Sequence, residues 1–224
     1  MPPKRDAAQA MAAPARAEDV AELRATYASA VESAVEELRN NVVAVPQEDL
    51  AMLLQALASA GRIALYGVGR EGLAMRGFAM RLHHMGLQTS VVGEMTASAV
   101  GPGDLLLLSA GPGYFSTCSA LAGEARRAGA RVLAFTSQPP SPLQDFADVC
   151  IQIPATCLSP ASPLGVDPAS LHRTGSAGGG HSALPMGSSY ELALQLFLDV
   201  VTKLLQARLG VQTSRMKATH TNLE

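Results

Sequence analysis

The chain has 224 residues, of which 48% are hydrophobic, 16% charged and 4% aromatic, with 20 Gly, 9 Met and no Trp. A collagen-like or wholly unfolded polymer is excluded, and the length suits one domain with tails. A formal net charge of −2 supplies no summed basic field to draw nucleic acid or anionic lipid. The expected partner is therefore a small molecule or another protein.

Cys118, Cys150 and Cys157 are odd in number and match neither CxxC nor His-paired ligand spacing. No disulfide framework and no metal site is expected, and a reducing, cytoplasmic setting fits them. The longest apolar stretch, around Leu105 to Leu108, is strand-sized and far short of a membrane span. Residues 1–17 are Ala-rich, interrupted by charge and without an apolar run, so they are expected to be disordered rather than a secretory signal.

From Glu18 to Asn40, Val20, Leu23, Tyr27, Val31 and Leu38 recur on a helical period and predict an amphipathic helix. Pro46 opens a second helix over Gln47–Ala60, with Leu50, Leu53, Leu54 and Leu57 as its stripe and Gly61 as its left-handed cap. The period then changes. Strands are predicted at Arg62–Tyr66, Thr89–Val92, Asp104–Leu108, Arg131–Phe135 and Val149–Ile153. Helices fall at Glu71–Met85, closed by Gly86, and at Phe115–Ala128, closed by Gly129, and a last long helix spans Ser188–Leu209. Alternating strands and helices predict βαβ units, a parallel α/β sheet and right-handed crossovers. Residues 158–183, dominated by Ser, Pro, Gly and Ala, read as a flexible insertion in a domain spanning 18–209, and 210–224 reads as a tail.

Parallel sheets bind ligands at the carboxyl ends of their strands, where two turns are glycine-rich. Gly67-Val68-Gly69-Arg70-Glu71-Gly72 satisfies G-x-G-x-x-G, and Glu94 follows at the end of the next strand. Read literally this is a dinucleotide fingerprint, and hence an oxidoreductase. Glu71 opposes that reading, because a carboxylate in the first helical turn already answers the helix dipole and repels a phosphate. The second turn is Ala110-Gly111-Pro112-Gly113.

Several further stretches lie between and beyond these turns. They are Tyr66 to Arg70; Phe78 to Leu82 with His84 and Gly86; Val92 to Glu94 with Thr96; and Gly103 to Leu106. Pro185 to Gly187 with Glu191, Phe197 to Asp199, and the terminal His220 to Glu224 complete the set. In this order, over about residues 20–224, they resemble the 6-phospho-3-hexuloisomerase family of the sugar isomerase (SIS) superfamily. The resemblance implies a doubly wound α/β domain with a five-stranded parallel sheet, assembled as a homodimer or homotetramer whose sites include residues from neighbouring subunits. It also implies a cofactor-free reaction moving a carbonyl between C3 and C2 of a hexulose 6-phosphate through an enediol. Such chemistry needs a carboxylate to shuttle the proton and an acid near the carbonyl oxygen. The resemblance assigns these roles to Glu191 and His84, and substrate contact to Gly67, Gly69, Arg70, Glu71, Arg81, Glu94, Thr96, Gly111, Gly113 and His220.

Each assignment has a structural counterpart. Ser188-Ser189-Tyr190-Glu191 also reads as a capping box, with Glu191 bonded back to the Ser188 amide. His84 lies off the Phe78, Leu82 and Met85 stripe, together with Gly77 and Arg81, so its face is expected to meet solvent or another subunit. The tail is either a mobile end or docked near a neighbour's site. The family's Ser-Gly-Ser-Gly-Glu-Thr phosphate run is here Ala110 to Phe115, which loses hydroxyls and, at Pro112, an amide. At roughly 1.5–3 kcal/mol per hydrogen bond to a charged group, the phosphate grip is expected to be weak. The alternative to an isomerase is a non-catalytic carbohydrate-binding module.

Overall fold

The computed structural model describes residues 17–138, 140–157 and 182–223. The expected N-terminal disorder and the expected insertion lie outside these residues, apart from 17, 182 and 183. Two helices come first, α1 (Ala17–Val43) and α2 (Gln47–Ser59). They are followed by β1 (Ile63–Gly67), α3 (Gly69–His84), β2 (Thr89–Val91), β3 (Leu105–Ser109), α4 (Ser116–Arg127), β4 (Arg131–Thr136), a 3-10 turn (Pro142–Asp145) and β5 (Val149–Gln152). The chain closes with α5 (Ser188–Leu209) and a short α6 (Thr213–Ala218).

The strands pair in the order β2-β1-β3-β4-β5, every ladder parallel, as the alternating pattern predicts. Leu105–Ser109 is buried along its whole length, because helices cover both faces of its sheet. Leu53 and Leu57 of α2, Met75, Phe78 and Leu82 of α3, and Leu194, Phe197, Leu198 and Val201 of α5 fill one face. Cys118, Ala122 and Ala125 of α4 fill the other. Each large apolar side chain so buried contributes roughly 1.5–3 kcal/mol.

The chain winds outward from β1 in both directions, to β2 on one side and β3 on the other. The carboxyl ends of β1 and β3 thus form the switch point of the sheet, with Gly67 in register with Ser109. Both glycine-rich turns open there. The first and third glycines of the first turn serve packing. A Cβ on Gly72 would stand 2.5 Å from the Gly67 carbonyl oxygen, and one on Gly67 would stand 2.9 Å from the Gly72 nitrogen. Their missing side chains let α3 sit directly on β1.

Four expectations are corrected. Gly61 is not a left-handed cap: α2 ends on extended Ala60, and the Gly61 amide donates to the Gly103 carbonyl at 3.0 Å. Residues 213–218 are helical rather than tail, and α6 packs on α3. The α1 stripe meets the core only at its later turns. Leu23 and Tyr27 are 67% and 69% exposed, and only Leu38 and Val42 of the later turns join the apolar cluster. A 27-residue helix spans about 40 Å, and its first turns leave the apolar cluster behind. Finally, the capping box at Ser188 is absent, because Gly187 in the left-handed region, at φ 76°, precedes the helix without a side-chain cap.

Gly72→Ala forces β1 and α3 apart. It is expected to lower unfolding free energy by about 1–3 kcal/mol, the usual effect of overpacking, in urea titration. An unchanged midpoint would show that the two elements give way freely.

Candidate active site

The cleft at the switch point has a volume of about 380 Å³ and is lined by Val68, Gly69, Arg70, Glu71, Pro112, Phe115, Cys157, Met186, Gly187, Tyr190 and Glu191. Two helices supply its charged groups. The first turn of α3 carries Arg70 and Glu71, and the first turn of α5 carries Glu191. An Arg70 guanidinium nitrogen lies 2.9 Å from Glu191 Oε2 and donates to the Ser188 hydroxyl at 2.9 Å. The bond to Ser188 spans 118 positions of sequence, and the pairing with Arg70 takes the Glu191 carboxylate away from any capping role. Burial raises the Glu191 pKa and Arg70 opposes the rise; the net shift is upward.

Glu71 does not face the cleft as an open carboxylate. It is 6% exposed and turned inward between the two glycine turns. Its Oε2 accepts the Ser109 hydroxyl at 2.6 Å and the Gly111 amide at 3.0 Å. With the single Ser109 proton so engaged, the Tyr190 hydroxyl donates to Ser109 Oγ, 3.1 Å away. The Tyr190 ring is fully buried against Gly111, where a Cβ would meet it at 2.5 Å. Gly111 is therefore glycine because Tyr190 packs there. Gly113, at φ 85°, has a left-handed backbone and abuts Ser141.

Desolvation pushes the Glu71 carboxyl up from its ordinary 4.5 to about 7, against the Ser109 and Gly111 hydrogen bonds and with help from the Glu191 charge. Tyr190 is pushed well above its ordinary value, and Cys118 up to about 12, both chiefly by burial. Cys157 is also raised by burial, despite the Ser137 hydroxyl at 2.9 Å. No thiol here is disposed to act as a nucleophile at neutral pH.

The segment that delivers Glu191 is tied to α1. Glu37 accepts the Ala183 amide at 2.8 Å and the hydroxyls of Ser182 and Ser189, while the Asn41 amide donates to Ser189 at 3.0 Å. Sequence reasoning missed Glu37, Asn41, Ser109 and Tyr190. They act across 38 to 152 positions of chain, and no local spacing signals such contacts.

The other candidates lie elsewhere. His84 ends α3, 14 residues beyond Arg70 and hence about 21 Å along the helix. Contrary to expectation it is buried, 5% exposed, beneath its own chain's α6 and tail. The Thr219 hydroxyl donates to its carbonyl at 2.9 Å, and the His220 ring stands 5.1 Å away centroid to centroid. The tail is thus docked, but on its own subunit. Arg81, His84, Lys217 and His220 line a second pocket, of about 670 Å³, with no carboxylate among its described lining residues. Glu94 and Thr96 sit on the exposed turn after edge strand β2. Glu94 lines a separate shallow cleft with Arg76 and His83. Of the expected residues, Gly69, Arg70, Glu71 and Glu191 line the switch-point cleft, with Gly67, Gly111 and Gly113 supporting its turns. Among the described residues, no group of His, Cys, Asp and Glu could hold a metal ion, and no helix is long and apolar enough to cross a membrane.

The chain is an α/β protein with a doubly wound parallel sheet and a paired carboxylate and guanidinium at its switch point, and its residues 56–159 match the SIS domain. The chain is 33% identical to 3-hexulose-6-phosphate isomerase of Mycobacterium gastri over 84% of its length and 87% of that protein. It is 32% identical to the Bacillus subtilis (strain 168) enzyme of the same name, over 84% of this chain and 94% of the relative. A solved Methanococcus jannaschii structure, of inferred 3-hexulose-6-phosphate isomerase function, superposes with a TM-score of 0.68 at 26% identity, covering 85% of this chain and 98% of that one. The chain belongs to the 3-hexulose-6-phosphate isomerase family of SIS-domain proteins.

The raised Glu71 pKa has a measurable consequence. Between about 4.5 and 7 the folded state keeps a proton that the unfolded chain releases, so stability is fully present at low pH and falls as pH rises through this window. Glu71→Gln removes the term. The variant should gain on the wild type by up to roughly 3 kcal/mol between pH 4.5 and 7.5 in denaturant titrations. Parallel profiles would show that Glu71 is solvated.

Proposed function

We propose that the protein is a cofactor-free isomerase of a ketose or its phosphate, with Glu191 as the proton-transferring base. The observation that carries this reading is the Glu191–Arg70 pair, 2.9 Å apart, on the wall of the switch-point cleft. Glu191 takes the proton from C2 of a 3-ketose while an acid protonates the carbonyl oxygen on C3, giving an enediol across C2 and C3. The same proton returned to C3, with loss of the O2 proton, leaves the carbonyl at C2. Partial burial keeps the Glu191 carboxylate basic enough to accept a proton. Arg70 offsets the negative charge that develops on the enediol oxygens.

The acid is His84, supplied by a neighbouring subunit. Within one chain Glu191, on α5, pairs with Arg70 at the start of α3 while His84 ends that helix, so a single copy holds half a site at each end. The basic pocket of Arg81, His84, Lys217 and His220 then brings both the acid and an anion grip to the Glu191 cleft of the next copy. The exposed Leu23 and Tyr27 on α1, and Leu196 and Val200 on α5, give such an assembly apolar faces to bury. The non-catalytic alternative draws on the second turn, whose hydroxyls are replaced from Ala110 to Phe115.

Hexulose 6-phosphate, followed as fructose 6-phosphate in a coupled assay, tests the reading. Glu191→Gln is expected to reduce kcat by at least about 100-fold, and no turnover by the wild type at millimolar substrate would leave the binding-module reading. Mixing Glu191→Gln with His84→Gln, each inactive alone, should restore about a quarter of the sites if each draws on two subunits. Absence of recovery in mixed oligomers would place the acid within one chain. Tyr27→Asp should shift the assembly toward smaller species in light scattering, whereas an unchanged mass would exclude α1 from the interface.

A further inference from the structure

A switch point with two glycine turns and two helix N-termini is the place where an open α/β sheet ordinarily receives an anion. In this chain the donors of the second turn are already engaged. The Ala110 amide donates to the Phe135 carbonyl at 2.9 Å, and the Gly113 amide donates to the Ala110 carbonyl at 2.8 Å. Pro112 has no amide hydrogen. The remaining amide, of Gly111, donates to Glu71 at 3.0 Å, and Glu71 also takes the Ser109 hydroxyl. The seat is filled from within by a carboxylate on the opposite turn, and that carboxylate is 6% exposed and braced by Tyr190 through Ser109.

The charges of the cleft point the same way. The charged lining residues are two carboxylates, Glu71 and Glu191, and one guanidinium, Arg70, which is already held by Glu191. The rest of the lining is largely apolar, from Val68, Pro112, Phe115, Met186 and the Tyr190 ring. A phosphate dianion placed over the second turn would meet two carboxylates and find no free amide between residues 110 and 113.

We propose that Glu71 is a resident anion that determines specificity: its carboxylate closes the seat between the two glycine turns, so the cleft excludes a phosphate group there and receives an uncharged hydroxyl or carbonyl end of the carbohydrate. The proposal rests on the reading of this cleft as the carbohydrate site and names what the site selects. A phosphorylated substrate would then carry its phosphate away from the glycine turns. Removing the carboxylate returns the Gly111 amide and the Ser109 hydroxyl to an external anion. One regained hydrogen bond to a charged group corresponds to at least about ten-fold tighter binding.

The test is a titration of the ¹⁵N-labelled full chain with inorganic phosphate at pH 8, read at the Gly111 amide. In the wild type this resonance should stay in place up to tens of millimolar phosphate. In Glu71→Ser it should shift saturably, with affinity at least ten-fold tighter than any wild-type binding. Glu71→Ala serves the same purpose if the serine variant does not fold. A wild-type Gly111 amide that moves with phosphate would overturn the proposal and leave the isomerase reading intact. A Gly111 amide that stays unmoved in both folded variants would overturn it as well. Failure of the isomerase reading would be seen separately, as absence of turnover, and would not alter the Gly111 response to inorganic phosphate.

Discussion

The Glu71 carboxylate joins the two glycine turns, and most of the cleft follows from that contact. A buried carboxylate is expensive to desolvate unless it is hydrogen-bonded, and here the Ser109 hydroxyl and the Gly111 amide supply two donors. Both donors belong to the end of β3, so satisfying Glu71 fixes the second turn against the start of α3. Tyr190 completes the arrangement by bonding Ser109 and laying its ring on Gly111, which sets the first turn of α5 and with it Glu191. One charge therefore coordinates three elements that are far apart in sequence. Only glycine at 111 leaves space for the ring.

From this constraint the division of the site follows. The carboxyl rim of the sheet carries Glu191, its guanidinium partner Arg70 and the buried Glu71, while the opposite rim carries Arg81, His84, Lys217 and His220. The length of α3 separates the two. The chain belongs to a family named for isomerisation of a hexulose phosphate, and an apolar stripe on its α1 is left exposed. The chain departs from the familiar phosphate turn by filling it rather than by leaving it empty.

The sheet and its helices were legible in the sequence because they depend on local period. Buried runs such as Leu105–Ser109 and glycines such as Gly86 and Gly129, both at φ 88°, mark their elements within a few residues. The cleft was legible only in part. Glu71 and Glu191 could be picked out by residue type, yet their directions depend on partners that no spacing reveals. Arg70, rather than the Ser188 amide, takes Glu191, because Gly187 sets the helix start and Arg70 reaches it from α3. His84 is buried because α6, a six-residue helix too short to leave a periodic signal, folds the tail back over it. The α1 stripe misled for a related reason: amphipathicity predicts that a face will be covered, not that the same chain covers it.

The central claim is that a buried Glu71 carboxylate is bonded to the Gly111 amide. A pH titration observing the Glu71 carboxyl carbon and the Gly111 amide together in one NMR sample tests it most directly. The account predicts a shared midpoint near 7, with the amide following the carboxyl as it ionises. A carboxyl midpoint near 4.5, or a Gly111 amide indifferent to it, would contradict the account.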